Sequence, residues 1–91
     1  MFGNGKNDSK VESFQLKILS PEKKYFDGEA ISVSATNQHG PFDVLAEHTN
    51  FFSLLSPGVM VVKTSGGDLP IPMKTGIIKV ANHQVIAFVN I

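Results

Sequence analysis

The chain has 91 residues, 42% of them hydrophobic, with eight basic side chains balanced by eight acidic ones. That length builds one small domain, and the balanced charge lacks the basic excess that nucleic-acid binding uses against phosphates. Cysteine is absent, which excludes disulfide staples and thiolate metal sites, and the longest apolar runs, residues 59–62 and 85–89, fall far short of the roughly 20 residues that span a bilayer.

Residues 1–13, MFGNGKNDSKVES, combine Gly, Asn, Lys and Ser with no apolar period and no apolar leader core. They predict a mobile tail, not a signal peptide, followed by one domain over residues 14–91. From Phe14 the pattern has period two, with Phe14, Leu16 and Ile18 on one face and Gln15 and Lys17 on the other, the mark of a half-buried strand. Residues 20–23, Ser-Pro-Glu-Lys, form a turn because proline pre-sets φ. Tyr25 and Phe26 begin a second strand, which Asp27-Gly28 is expected to turn. Residues 30–35 continue it, with Ile31 and Val33 on one face.

Residues 37–41 are expected as a loop, 42–45 as a short strand, 46–50 as a loop or single helical turn, and 51–55 as a strand ended by Pro57-Gly58. Residues 59–63 and 69–73 flank Ser65-Gly66-Gly67-Asp68, a predicted four-residue hairpin loop. Pro70 and Pro72 lack the amide hydrogen a central strand donates, which makes this an edge strand. Residues 77–81 and 84–90 flank a two-residue turn, Asn82-His83, where asparagine tolerates positive φ. Short strands, closely spaced turns and no amphipathic helix predict an all-β protein, a small two-sheet flattened sandwich of about ten strands. The runs 59–62 and 85–91 are apolar on both faces, so their outer faces call for a cover from the chain or from a partner.

Catalytic chemistry finds little support. His39, Asp43, Glu47 and His48 supply imidazole and carboxylate, the donors that suit zinc, but without a His-x-x-x-His or Glu-x-x-His spacing. No Gly-x-x-x-x-Gly-Lys-Ser/Thr occurs, and Asp68 after Gly66-Gly67 repels phosphate. Serines 32, 34, 53, 56 and 65 carry no nucleophile signature. The expectation is a non-enzymatic module with no catalytic residues, cofactor or metal. A small metal-dependent hydrolase on His39, Asp43 and His48 and a free-standing adaptor sandwich are the competing classes.

The ordered set of motifs resembles the epsilon subunit of F-type ATP synthases. Residues 40–58, GPFDVLAEHTNFFSLLSPG, match that family's glycine, apolar run, histidine, apolar segment and Pro-Gly turn. Residues 14–28, FQLKILSPEKKYFDG, resemble its opening strand and Ser/Thr-Pro-Glu turn, and residues 75–91 its closing strands. The resemblance implies a β-sandwich rotor domain that docks on the gamma subunit and the c ring to couple ion translocation to ATP synthesis. It would be peripheral at the cytoplasmic face of the plasma membrane in a bacterium, without direct membrane insertion. Full-length members continue into a C-terminal helical pair, which binds nucleotide where nucleotide is bound, so none is expected within these residues.

Candidate contacts are Phe42, Asp43, Leu45, Glu47, His48, Val85, Ala87 and Val89, with Phe42 and Leu45 equally suited to the core. His48 either caps backbone groups of its turn or faces a neighbouring subunit, since the matching loop lies at the end of the family's sandwich that approaches gamma and the ring. Pro41 stands where many members place an acidic residue that faces the ring, and Asp43 stands where glycine is usual. Glu47-His48-Thr49-Asn50 replaces Gly-His-Ala-Pro, and Lys74-Thr75-Gly76 replaces Ser-Gly-Gly. Asp43 or Glu47 is expected to take over the acidic contact.

Overall fold

The structure, a computed structural model, describes residues 12–46, 50–82 and 84–91. Alternating burial builds β1 (Phe14–Leu19), where Phe14, Leu16 and Ile18 point inward. Strand β2 (Lys24–Ala30) folds back on it after a turn in which Ser20 Oγ accepts the Glu22 and Lys23 amides, both at 3.2 Å. There follow β3 (Ser32–Asn37), β4 (Gly40–Leu45), β5 (Phe51–Leu55), β6 (Gly58–Thr64), β7 (Gly67–Met73), β8 (Thr75–Ala81) and β9 (Gln84–Asn90). The described residues thus hold nine strands, close to the number expected.

One sheet has five strands in the order β2-β1-β9-β8-β5, and the other four in the order β4-β3-β6-β7. Every pairing is antiparallel except that of β1 with β9, which run parallel at the middle of the larger sheet. The two sheets enclose a core whose innermost side chains include Leu16, Ile18, Val33, Val44, Met60, Val62, Ile78 and Val85, and every buried residue described is hydrophobic. Strand β7 lies at an edge, as its two prolines require.

Four local expectations are corrected. Asp27-Gly28 does not turn the chain: Gly28 pairs with Leu16 inside β2, and the break falls at Ile31, whose amide donates to the Lys63 carbonyl at 2.7 Å as the chain crosses between sheets. Ile31 therefore shares no strand face with Val33, whose inward companion is Ala35. The loop at residues 37–41 shrinks to the two-residue turn Gln38-His39, because Asn37 already pairs with Gly40. The four-residue loop at 65–68 likewise shrinks to Ser65-Gly66, held by Thr64 Oγ1, which donates to the Gly67 carbonyl at 2.8 Å and accepts the Gly66 amide at 3.1 Å.

Connectivity sorts the turns to two ends. Residues 20–23, the Gln38-His39 turn and residues 56–57 share one end; Ile31, Ala46, Asn50, the Ser65-Gly66 turn and Asn82 share the other. Asn82 adopts φ 51° in its turn, as expected of asparagine, and its amide donates to Asn50 Oδ1 at 3.2 Å. The tail expected over residues 1–13 lies outside the described residues apart from Glu12 and Ser13, as do Glu47, His48, Thr49 and His83.

Candidate partner-docking surface

Apolar side chains on the outside of the larger sheet form the most distinctive surface. Cross-strand register places Leu54 beside Ile77, Ile77 beside Phe88, and Phe88 beside Leu19, giving one apolar row across β5, β8, β9 and β1. Leu54 is 66% exposed and Phe88 55%, unusual for side chains this large. The next row reads Phe52, Lys79, Ile86, Lys17 and Asp27, so the face grades from apolar to charged along the strands. The apolar row floors an open groove of ≈ 850 Å³, and the turn at residues 20–23 walls it.

At the polar rim, Lys24 Nζ donates to Asp27 Oδ2 at 2.9 Å, and this bond holds the Asp27 carboxyl below its ordinary range. The bond's contribution to stability is present above the unfolded value of 3.8 and disappears as pH falls through the lowered folded value. Asp27 is solvent-exposed, so salt screens the pair. Lys23 Nζ sits 4.7 Å from the Tyr25 ring centroid.

A second cleft, of ≈ 530 Å³, separates the Gln38-His39 turn from β5. Asn37 bridges it: Oδ1 accepts the His39 amide at 2.8 Å, and Nδ2 donates to Ser53 Oγ at 3.1 Å. Ser53 Oγ in turn donates to the Leu54 carbonyl at 3.0 Å, and the Ser56 amide to the Thr36 carbonyl at 2.8 Å.

The candidate contacts do not form one surface. Val85, Ala87 and Val89 are 2%, 0% and 3% exposed, so they belong to the core and leave Ile86 and Phe88 as the outward face of β9. Phe42 is half-buried and meets Phe51 edge-on, ring centroids 6.1 Å apart. Asp43 and Leu45 face outward from the smaller sheet; Asp43 Oδ1 accepts Ser34 Oγ–H at 2.7 Å, and Leu45 is exposed. Glu47 and His48 lie outside the described residues, but Ala46 and Asn50, which bracket them, sit at the opposite end from Pro41. Pro41 and Ala46 thus stand at opposite ends of β4, about a strand length apart. Among the described residues no three His, Asp or Glu side chains gather as a metal site, and no helix is long and apolar enough to cross a membrane.

Sequence reasoning missed Phe52, Leu54, Ile77 and Asn37, and reached Phe88 only as part of the apolar run 85–89. The first two were signalled by β5 being apolar at every position but Ser53, although no pattern in FFSLL tells which parity faces out. Asn37 carried no signal, since its partner Ser53 is remote in sequence.

Comparison with known proteins agrees with this architecture. Residues 13–90 match the family model described as ATP synthase, Delta/Epsilon chain, beta-sandwich domain. The ATP synthase epsilon chain of Bradyrhizobium sp. (strain ORS 278) is 36% identical over 81 residues, covering 89% of this chain and 60% of that protein. That of Clostridium novyi (strain NT) is 32% identical over 77 residues, covering 84% of this chain and 59% of that protein. The chain therefore spans about three fifths of the length of these curated relatives. Among solved structures, a chain of the Euglena gracilis mitochondrial ATP synthase (OSCP/F1/c-ring) superposes with a TM-score of 0.79 at 18% identity, covering 96% of this chain and 57% of that one. A chain of the Tetrahymena thermophila mitochondrial ATP synthase central stalk and c-ring gives 0.72 at 17% identity, covering 90% and 66%. With the family model matched over residues 13–90 and relatives above 30% identity, this chain belongs to the ATP synthase delta/epsilon family and carries its β-sandwich domain.

Proposed function

We propose that the domain is a non-catalytic rotor module, docked on the gamma subunit of the central stalk and on the c ring of a rotary ATP synthase, at the cytoplasmic face of the membrane in a bacterial cell. Family membership supports the setting, and the exposed apolar row Leu54, Ile77 and Phe88 is the observation that carries the docking. A subunit that passes torque between ring and stalk has to resist shear, and a close-packed sandwich deforms little. Its apolar row offers the stalk contacts that exclude water, while a polar end offers the ring charge complementarity.

In this reading β5, with Phe52 and Leu54 outermost, lies against the stalk, and the end bearing the Gln38-His39 turn faces the ring. Asp43, two residues along β4 from Pro41, then supplies the acidic contact. Leu54→Lys and Phe52→Lys place a charge in an interface centre and should each weaken gamma binding about tenfold or more, measured by interferometry on chains whose circular dichroism is unchanged. Undiminished affinity in both variants would remove the docking face. Asp43→Lys should weaken ring binding severalfold; undiminished ring binding would remove Asp43 as the acidic contact.

A further inference from the structure

We propose that Asn37 is a positioning residue that couples the two docking surfaces, so that engagement of β5 by the stalk stiffens the turn that meets the ring. The inference rests on the rotor reading above. It concerns how the two contacts communicate.

The two surfaces belong to different sheets, since β3 and β4 lie in the smaller one and β5 edges the larger. Between sheets the cohesion is apolar and non-directional, so packing alone does not fix the turn's orientation relative to β5. Hydrogen bonds do, and the Asn37 carboxamide makes one in each direction. Oδ1 holds the turn through the His39 amide at 2.8 Å, while Nδ2 reaches across the cleft to Ser53 Oγ at 3.1 Å. Both atoms belong to one planar group, so displacement of Ser53 rotates the acceptor that shapes the turn.

Ser53 continues the link, because its hydroxyl donates to the Leu54 carbonyl at 3.0 Å. Leu54 is the exposed side chain proposed to meet the stalk. The Ser56 amide bonded to the Thr36 carbonyl at 2.8 Å pins the adjoining backbone of the two sheets and leaves the Asn37 amide as the side-chain connection to the turn. The chain of contacts therefore runs from Leu54 through Ser53 and Asn37 to His39. Asn37 and Ser53 are both partly shielded from water, where a hydrogen bond is electrostatically stronger than in bulk solvent.

The test is amide hydrogen exchange at Gln38 and His39 in the full chain, free and saturated with gamma subunit. Gamma binding should slow exchange in the turn about fivefold, the scale of one net hydrogen bond. Asn37→Ala and Ser53→Ala should each abolish that slowing while binding gamma as the unsubstituted chain does, at the cost of a few degrees in melting temperature. The double variant should behave as either single one, and Ser53→Thr, which keeps the hydroxyl, should restore the response. A turn indifferent to gamma in the unsubstituted chain, or a response that survives Ser53→Ala, overturns the coupling and leaves the rotor reading standing. Absence of any gamma binding by the unsubstituted chain overturns both.

Discussion

Gly40 opens β4 at φ +117°, a conformation that strains any residue with a Cβ, yet nothing lies within 4 Å of where that Cβ would sit. The constraint is in the backbone, so Gly40→Ala should cost about 1 kcal/mol or more, seen as a lower urea midpoint at unchanged m-value. An unaltered midpoint would mean that the Gln38-His39 turn adopts another geometry in solution. Gly76 presents the opposite case. A Cβ there would lie 3.0 Å from the Phe88 carbonyl oxygen and 3.3 Å from Leu55 Cδ1, so crowding between β5, β8 and β9 selects glycine. These roles explain why single residues were unevenly legible in the sequence. Asn82 declared its turn through tolerance of positive φ, whereas Gly28 suggested a turn and instead continues a strand opposite Leu16, because glycine fits either state.

Strand β7 shows an element whose place followed from sequence. Pro70 and Pro72 pair with Val61 and Val59, and lacking amide hydrogens they stop the outer edge from accepting a further strand. Pro70→Thr with Pro72→Thr restores both donors on that edge, and the double variant should self-associate with rising concentration in sedimentation velocity. A strictly monomeric double variant would show that side chains, and not the missing amides, guard the edge. For β9 the sequence identified an apolar run but not its orientation. Valine, alanine, isoleucine and phenylalanine are all apolar, so periodicity could not separate the buried Val85, Ala87 and Val89 from the outward Ile86 and Phe88. What decides is register, since Val85 and Ala87 stand opposite the inward Leu16 and Ile18 of β1 and share their face, which leaves Phe88 outside.

For the molecule as a whole, the fold class was legible because alternation and turn residues are local signals, and they recur along the entire chain. The exposed apolar row proposed to dock was not, because it is assembled from register. Leu54, Ile77 and Phe88 become one row only through the β5-β8-β9 ladder, and Asn37 meets Ser53 only where two sheets approach. The sandwich carries over from the resemblance, while the described members of the expected contact set divide between the core and the outward face of the smaller sheet.

The parallel pairing of β1 with β9 has a consequence for biosynthesis. Of the strands described, the first to leave the ribosome must wait for the ninth, since among them β9 alone joins the β2-β1 hairpin to the β8-β5 pair. Nascent chains stalled before Gln84 emerges should remain protease-sensitive and show no cooperative melt, whereas release of a few more residues should let the larger sheet close in a single step. Until that moment the apolar rungs of both halves stand open to solvent, where unpaired strand edges invite aggregation.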